Sequence, residues 1–312
     1  MIGESVKPHA DNNEVKPVAY WVNLLAISGF VAVAFAQVSN MILARANAGE
    51  VPPFSLACVR WTVIALGLSP FLIKSFQRSD FAKPLQWWPV FAAGFMGMFL
   101  CGAPVYIAAV STTAINIALI MSLSPIVVLI ISWLAGLEEI GRLQLLGVGL
   151  ALLGALFIIL RAGGPALSDS AALWADLLMV AAMFGWSGYT LLQSRAGPHL
   201  PFLGRVSLFA AVGALTSLPV AIQEAIVTPQ RVFSWHALAM YLFAGVVPGI
   251  LAYGGFAYLG SKFGSIRASL VLYVGPVASA LLSFLLLGEP PGLVHLYGGA
   301  FILAGVWLCL RK

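Results

Sequence analysis

The chain has 312 residues, of which 61% are hydrophobic and only 9% are charged, and its mean hydropathy is +0.99. A soluble domain carries about 25% charged residues, so this composition excludes a water-soluble globule and makes lipid the expected solvent for most of the chain. The formal net charge of +5 does not indicate a nucleic-acid partner, because the basic residues are scattered singly between apolar runs.

Ten apolar segments follow one another along the chain, each close to the roughly 20 residues that a membrane-spanning helix needs. We predict an all-α integral membrane protein with a polar N-terminal tail at 1–17. The linker 162–170 separates a first repeat, 18–161, from a second, 171–312. The predicted helices are 18–44, 54–73, 87–110, 113–135, 143–161, 171–192, 201–222, 237–259, 265–287 and 293–310.

The positive charges predict how the helices are oriented. With the N-terminus placed in the cytoplasm, 12 Lys and Arg residues fall inside, whereas Arg45, Arg161 and Arg231 fall outside. Because positive charge resists translocation, both termini are expected to be cytoplasmic. We predict a protein of a bacterial inner membrane, and we call the side that holds Arg45 the predicted outer face.

The two halves of the chain repeat each other at a nearly constant offset. Each repeat has five helices, an odd number, so the second enters the membrane upside down relative to the first. The prediction is ten transmembrane helices in two inverted five-helix repeats, an architecture that places a substrate site at the midplane. An offset of 151 residues separates Pro125 from Pro276, Glu138 from Glu289, Gly147 from Gly298, and Gly154 from Gly305.

These repeated residues also form a family motif: a proline in the fourth helix of a repeat, a glutamate after it and glycines in the last helix. The doubled motif resembles the ten-helix EamA-type branch of the drug/metabolite transporter superfamily, over essentially all of 18–312. One departure is Gln37, which replaces the usual tryptophan of the first helix. Further matching residues are Pro53 and Arg60 in the second helix, and Trp186, Tyr189 and Arg195 in the sixth.

The resemblance implies a transporter, since members export amino acids and other metabolites and some carry nucleotide-linked or vitamin-like solutes. We predict export of small neutral or zwitterionic metabolites, such as amino acids, by alternating access through a cavity bordered by helices 1, 3, 4, 6, 8 and 9. The alternatives are uptake or exchange of another metabolite class and a membrane sensor without transport. The expected partners are a small-molecule substrate and the lipid bilayer, in a monomer or homodimer, with no cofactor and no metal.

The candidate substrate-binding residues are polar and aromatic side chains inside predicted helices. Gln37 and Asn40 share one helix face, and their counterparts at an offset of 150 are Ser187 and Thr190. The alternative role for such residues is hydrogen bonding between helices. The predicted set is Gln37, Asn40, Tyr106, Asn116, Ser122, Trp186, Ser187, Tyr189, Thr190, Tyr253 and Tyr273.

Two prolines and one arginine complete the predicted site. Pro125 and Pro276 remove a helical hydrogen bond each, which predicts either a kink that serves as a gating hinge or a kink that serves packing alone. Arg60 lies well inside a predicted helix. An intramembrane cation either holds a substrate carboxylate or makes a structural bond to a neighbouring helix.

The acidic residues are predicted to lie in loops, tails or helix ends, with Asp176 nearest to an exception. A proton-coupled exporter of cations needs a buried carboxylate for which protons and substrate compete. The sequence therefore predicts weak or no proton coupling.

The segment Gly185-Trp186-Ser187-Gly188 matches the Gly-x-Ser-Gly of intramembrane serine proteases. That chemistry needs a histidine base within reach of the serine, and the histidines fall at helix ends or in the tail. We interpret the segment as a close-packing helix surface and expect no enzymatic activity.

Overall fold

A computed structural model of the chain describes residues 17–77, 87–136, 139–161, 170–193, 195–263 and 271–310. All regular elements in these ranges are helical. Seven helices are long and apolar enough to cross a membrane, and three shorter apolar helices account for the rest of the ten predicted segments. The all-α membrane fold is thus confirmed for the described ranges. Most of the predicted tail (1–16) and linker (162–169) lies outside them.

The helices are numbered here in chain order. A single additional helical turn, Pro229–Val232, lies between the seventh and the eighth. Their bounds are α1 (Pro17–Ala46), α2 (Pro53–Gln77), α3 (Trp87–Ala108), α4 (Ala114–Leu134), α5 (Arg142–Arg161), α6 (Ser170–Leu192), α7 (Phe202–Val227), α8 (235–263), α9 (271–287) and α10 (Leu293–Leu310).

Four helices depart from regular α-helical geometry within their spans. α3 and α8 contain π-helical turns at Phe95–Phe99 and Val246–Leu251, which begin 151 residues apart, the same offset as the sequence repeat. α4 is interrupted between Met121 and Ser124, and α9 ends in a π turn. Irregular backbone at membrane depth is tolerated only where protein or a wet cavity surrounds it, and π turns often mark functional sites.

The last helices of the two repeats, α5 and α10, pack through the repeated glycines. A Cβ at Gly147 would lie 2.6 Å from the carbonyl oxygen of Gly305, and a Cβ at Gly305 would lie 2.5 Å from that of Gly147. Gly154 faces Gly298 in the same way, at 2.7 Å. Helices α2 and α7, also counterparts in the repeat, pack against each other. Each of these helices meets its own counterpart, which is the arrangement of helices that lie beside a pseudo-twofold axis between two repeats.

The outside of the bundle is covered with large apolar side chains. Leu66, Trp88, Leu134, Ile226 and Phe284 are all more than half exposed. A soluble protein rarely exposes apolar surface of this extent. The surface therefore fits a lipid environment along the helices.

Gly147→Ala is expected to lower the stability of the bundle by about 1–3 kcal/mol, because the new methyl group overpacks the α5–α10 contact. Gly149→Ala is the matched control, since a Cβ there would meet no atom within 4 Å. The measurement is the thermal unfolding midpoint of the purified protein in detergent. Equal midpoints for the two variants would contradict the glycine contact.

Candidate functional site

A cavity of about 170 Å³ lies between the two repeats, where the irregular turns occur. It is bordered by the six predicted helices and additionally by α2 and α10. Pockets for drug-sized ligands usually measure about 300–1,000 Å³, so this cavity is suited to a small solute.

Many of the predicted site residues meet in this cavity. They come from six helices that are distant in the sequence and meet only in the folded chain. Gln37, Asn40, Arg60, Ser122, Pro125, Trp186, Tyr253 and Pro276 line it.

Arg60, Tyr106 and Asn40 form a hydrogen-bonded relay at the wall of the cavity. Arg60 Nη1 donates to the phenol oxygen of Tyr106 (3.2 Å), and the Tyr106 hydroxyl donates to Asn40 Oδ1 (2.8 Å). The guanidinium carbon of Arg60 also lies 4.5 Å from the centre of the Trp61 ring. The relay joins α2, α3 and α1 and fixes the position of the arginine.

Tyr106 does not itself line the central cavity; it lines a second cavity at the predicted outer face. The outer cavity measures about 520 Å³ and includes Tyr106, Phe54 and Glu224 in its lining. Glu224 on α7 accepts hydrogen bonds from the backbone N–H of Phe54 (3.2 Å) and Ser55 (2.7 Å), and from the Ser55 hydroxyl (2.8 Å). It thus caps the N-terminus of α2, where a carboxylate is favoured, and ties the two repeats together.

A second tie between the repeats lies at the same face. Arg45 Nε donates to Glu289 Oε1 at 2.7 Å, and Arg45 Nη1 donates to the carbonyl oxygens of Ala109 (2.9 Å) and Val110 (3.2 Å). The two charged side chains are 29% and 21% exposed. The cluster connects the end of α1, the end of α3 and the loop before α10.

Three predicted residues of α6 do not line the cavity. Ser187 is fully buried and donates to the carbonyl oxygens of Met183 (2.8 Å) and Ser124 (3.3 Å). Thr190 donates to the carbonyl oxygen of Trp186 (2.8 Å). The Tyr189 ring packs edge-on against Phe209 at 5.6 Å. Ser187 thus bonds to α4, Thr190 bonds within its own helix, and Tyr189 packs against α7.

The Gly185-Trp186-Ser187-Gly188 segment is a packing surface against α3. A Cβ at Gly185 would lie 2.7 Å from the carbonyl oxygen of Met96, and one at Gly97 would lie 2.6 Å from the Tyr189 ring. Ser187 itself is fully buried, and its hydroxyl bonds to the carbonyl oxygens of Met183 and Ser124.

Asp176 corrects the prediction that the acids lie in loops, tails or helix ends. It is 4% exposed and lies more than one turn inside α6, where its Oδ1 accepts a hydrogen bond from Thr112 (2.6 Å). Asn116, another predicted site residue, donates to Thr112 Oγ1 (3.2 Å). This cluster joins α6 to the start of α4 and does not line the central cavity. The side chain of Tyr273 lies outside the described residues.

Several lining residues were not predicted. Trp61 lies below the guanidinium of Arg60, and Gly97, Cys101 and Val105 form one stripe of α3. Their spacing of four residues places them on one helix face, which is a signal that the sequence contains. It does not stand out because nearly every residue of α3 is apolar.

Comparison with known proteins gives a consistent picture. A sequence model of the EamA-like transporter family matches residues 24–160 and 173–311. A protein of Archaeoglobus fulgidus named an uncharacterized transporter is 25% identical over 88% of this chain and 93% of its own. The uncharacterized transporter YetK of Bacillus subtilis is 24% identical over 95% of this chain and 88% of its own. A solved crystal structure shares the fold, with a TM-score of 0.58 and 20% identity over 93% of this chain and 97% of that one.

Arg45→Gln and Glu289→Gln are expected to be coupled by about 1 kcal/mol in a double-mutant cycle of unfolding free energies, because their pair is short and partly buried. The control cycle uses Glu50 and His236, a pair whose side chains are 64% and 48% exposed. Solvent screens that pair, so its coupling should be smaller. Additive effects of the two Arg45 and Glu289 substitutions would contradict the tie.

Proposed function

This chain belongs to the EamA-like transporter family. We propose that it exports small neutral or zwitterionic metabolites, including amino acids, from a bacterial cytoplasm. The mechanism would be alternating access, in which the two repeats rock around the central cavity. The observation that supports this proposal most is the cavity lining, which combines amides, hydroxyls, aromatic rings and one guanidinium and has no carboxylate among its described residues.

The cavity favours a small solute with both polar and apolar parts. Gln37, Asn40 and Ser122 offer hydrogen bonds, and Trp186 and Tyr253 offer aromatic surface. A multivalent cation would find no acidic side chain among the described lining residues. A nucleotide-linked solute, the alternative cargo, needs more volume and several basic groups for its phosphates. In this lining the basic side chain is Arg60.

The interruption of α4 gives the proposed mechanism a hinge. Pro125 follows Ser124 at the start of the second segment of α4 and has no N–H to donate, which leaves the carbonyl of Met121 without its usual helical partner. Met121 and Pro125 both line the cavity. Broken helices beside a midplane cavity are where transporters bind substrate, so we place the moving joint here and at Pro276 of α9.

Orientation and energy coupling complete the proposal. Both termini would face the cytoplasm, so that Arg45 and Glu289 lie at the periplasmic side. Asp176 lies outside the central cavity, so protons that bind it would not compete directly with substrate. We propose facilitative transport driven by the solute gradient.

Trp186→Ala is expected to reduce saturable flux of labelled amino acids in proteoliposomes about tenfold, because the substrate loses an aromatic wall of the cavity. Trp133→Ala is the matched control, since Trp133 on α4 is half exposed on the bundle surface. Aromatic and aliphatic amino acids are both tested. Equal saturable flux in the two variants would contradict a substrate site at Trp186 in this cavity.

An imposed pH gradient is expected to leave the flux unchanged, in the wild type and in Asp176→Asn alike. The reason is that Asp176 contacts Thr112 between helices and not the solute. The measurement is initial flux with and without the gradient. Flux that the gradient drives in the wild type but not in Asp176→Asn would assign proton coupling to this carboxylate.

A further inference from the structure

Arg60 is a cation held inside the membrane at the wall of the central cavity. It lies on α2, is 6% exposed and lines the cavity beside Trp61. An intramembrane charge is expensive and is usually paired or functional. A buried guanidinium in this position needs a group of opposite charge nearby.

The hydrogen bonds of Arg60 leave part of its guanidinium unused. Its Nη1 donates to Tyr106. Its Nε is buried and has no hydrogen-bond partner within the described part of the chain. A guanidinium carries five N–H donors in a planar fork that matches the two oxygens of a carboxylate. The site therefore has donor capacity that the described residues do not fill.

Three buried or half-buried carboxylates in the described part of the chain are committed to other partners. Glu289 pairs with Arg45, Glu224 caps α2, and Asp176 accepts from Thr112. The described lining of the central cavity contains no acidic side chain. The charge of Arg60 is therefore not compensated by a carboxylate of the cavity itself.

We propose that Arg60 is the anchor for a carboxylate of the transported solute, so that the substrates are small carboxylates, amino acids included, with an apolar body. This inference rests on the proposed function of the central cavity. The solute's carboxylate supplies the missing opposite charge and accepts from the Arg60 guanidinium where it lines the cavity, while Tyr106 acts as a positioning residue that holds the guanidinium through its bond to Asn40. The rest of the solute lies against apolar residues such as Met41 and Ile117 and against Trp186.

The test uses matched acids and amides, which differ only in the group that Arg60 would hold. The probes are L-phenylalanine with L-phenylalaninamide, L-leucine with L-leucinamide, and 3-phenylpropionate with 3-phenylpropanamide. Binding to the purified full-length protein is followed by tryptophan fluorescence, because Trp61 and Trp186 both line the cavity. The wild type is expected to bind at least one acid about thirtyfold or more tightly than its amide.

Substitutions then assign this preference to Arg60. Arg60→Gln should abolish the difference between acid and amide, and Arg60→Lys should retain part of it, because it keeps the charge but loses the planar fork. Arg142→Gln is the control for a general loss of positive charge, since Arg142 is exposed at the start of α5. Size-exclusion chromatography checks that each variant is folded. If Arg60→Gln does not fold, the ratio of acid affinity to amide affinity in the wild type still tests the anchor.

Binding and flux together separate this inference from the proposed function. The anchor is overturned if no acid binds more tightly than its amide, or if the preference survives in folded Arg60→Gln. Saturable flux that is equal for acids and amides would leave transport standing without the anchor. Acid-selective binding that depends on Arg60, in a protein that moves none of these solutes, would leave the anchor standing and contradict transport.

Discussion

Lipid cannot hydrogen-bond to a peptide group or solvate a charge, and this constraint accounts for the positions of several irregular turns and charged side chains in the described part of the chain. The π turns of α3 and α8 and the interruption of α4 occur around one cavity, away from the lipid-facing surface. The charges inside or beside the bundle follow the same rule. Arg45 meets Glu289, Glu224 meets the first N–H groups of α2, and Asp176 meets Thr112.

The contacts between the two repeats are of two kinds, and they have different consequences for motion. Helices α5 and α10 interlock through backbone atoms at Gly147 and Gly305, a contact that leaves no room for other side chains. The bond of Arg45 to Glu289 is made of side chains at one face. A backbone contact of this kind favours a fixed axis, whereas a side-chain pair can break and reform, as a gate at one face must.

Hydropathy and the repeat offset predict the helices well, because lipid requires about 20 predominantly apolar residues in every membrane-spanning helix. The site was harder, because composition does not reveal which helix face meets the cavity. Trp186 lines it, whereas Ser187 and Tyr189 on the same helix pack against neighbours. Trp61 lies in an apolar helix where its position does not stand out from its neighbours. The sequence predicts Asp176 only as the nearest exception among acids in loops, tails and helix ends, whereas it is buried inside α6. Contacts between distant segments decide all of these.

Alternating access requires that the cavity between the repeats opens to each side of the membrane in turn. The direct measurement is thiol labelling of Gln37→Cys, in a background in which Cys58, Cys101 and Cys309 are alanine, by an impermeant reagent applied to intact cells and to inverted vesicles. Gln37 lines the cavity. Alternating access therefore predicts that Gln37→Cys is labelled from both sides of the membrane, and that a transported solute protects it from the reagent. Labelling from one side alone, with no effect of solute, would contradict alternating access through this cavity.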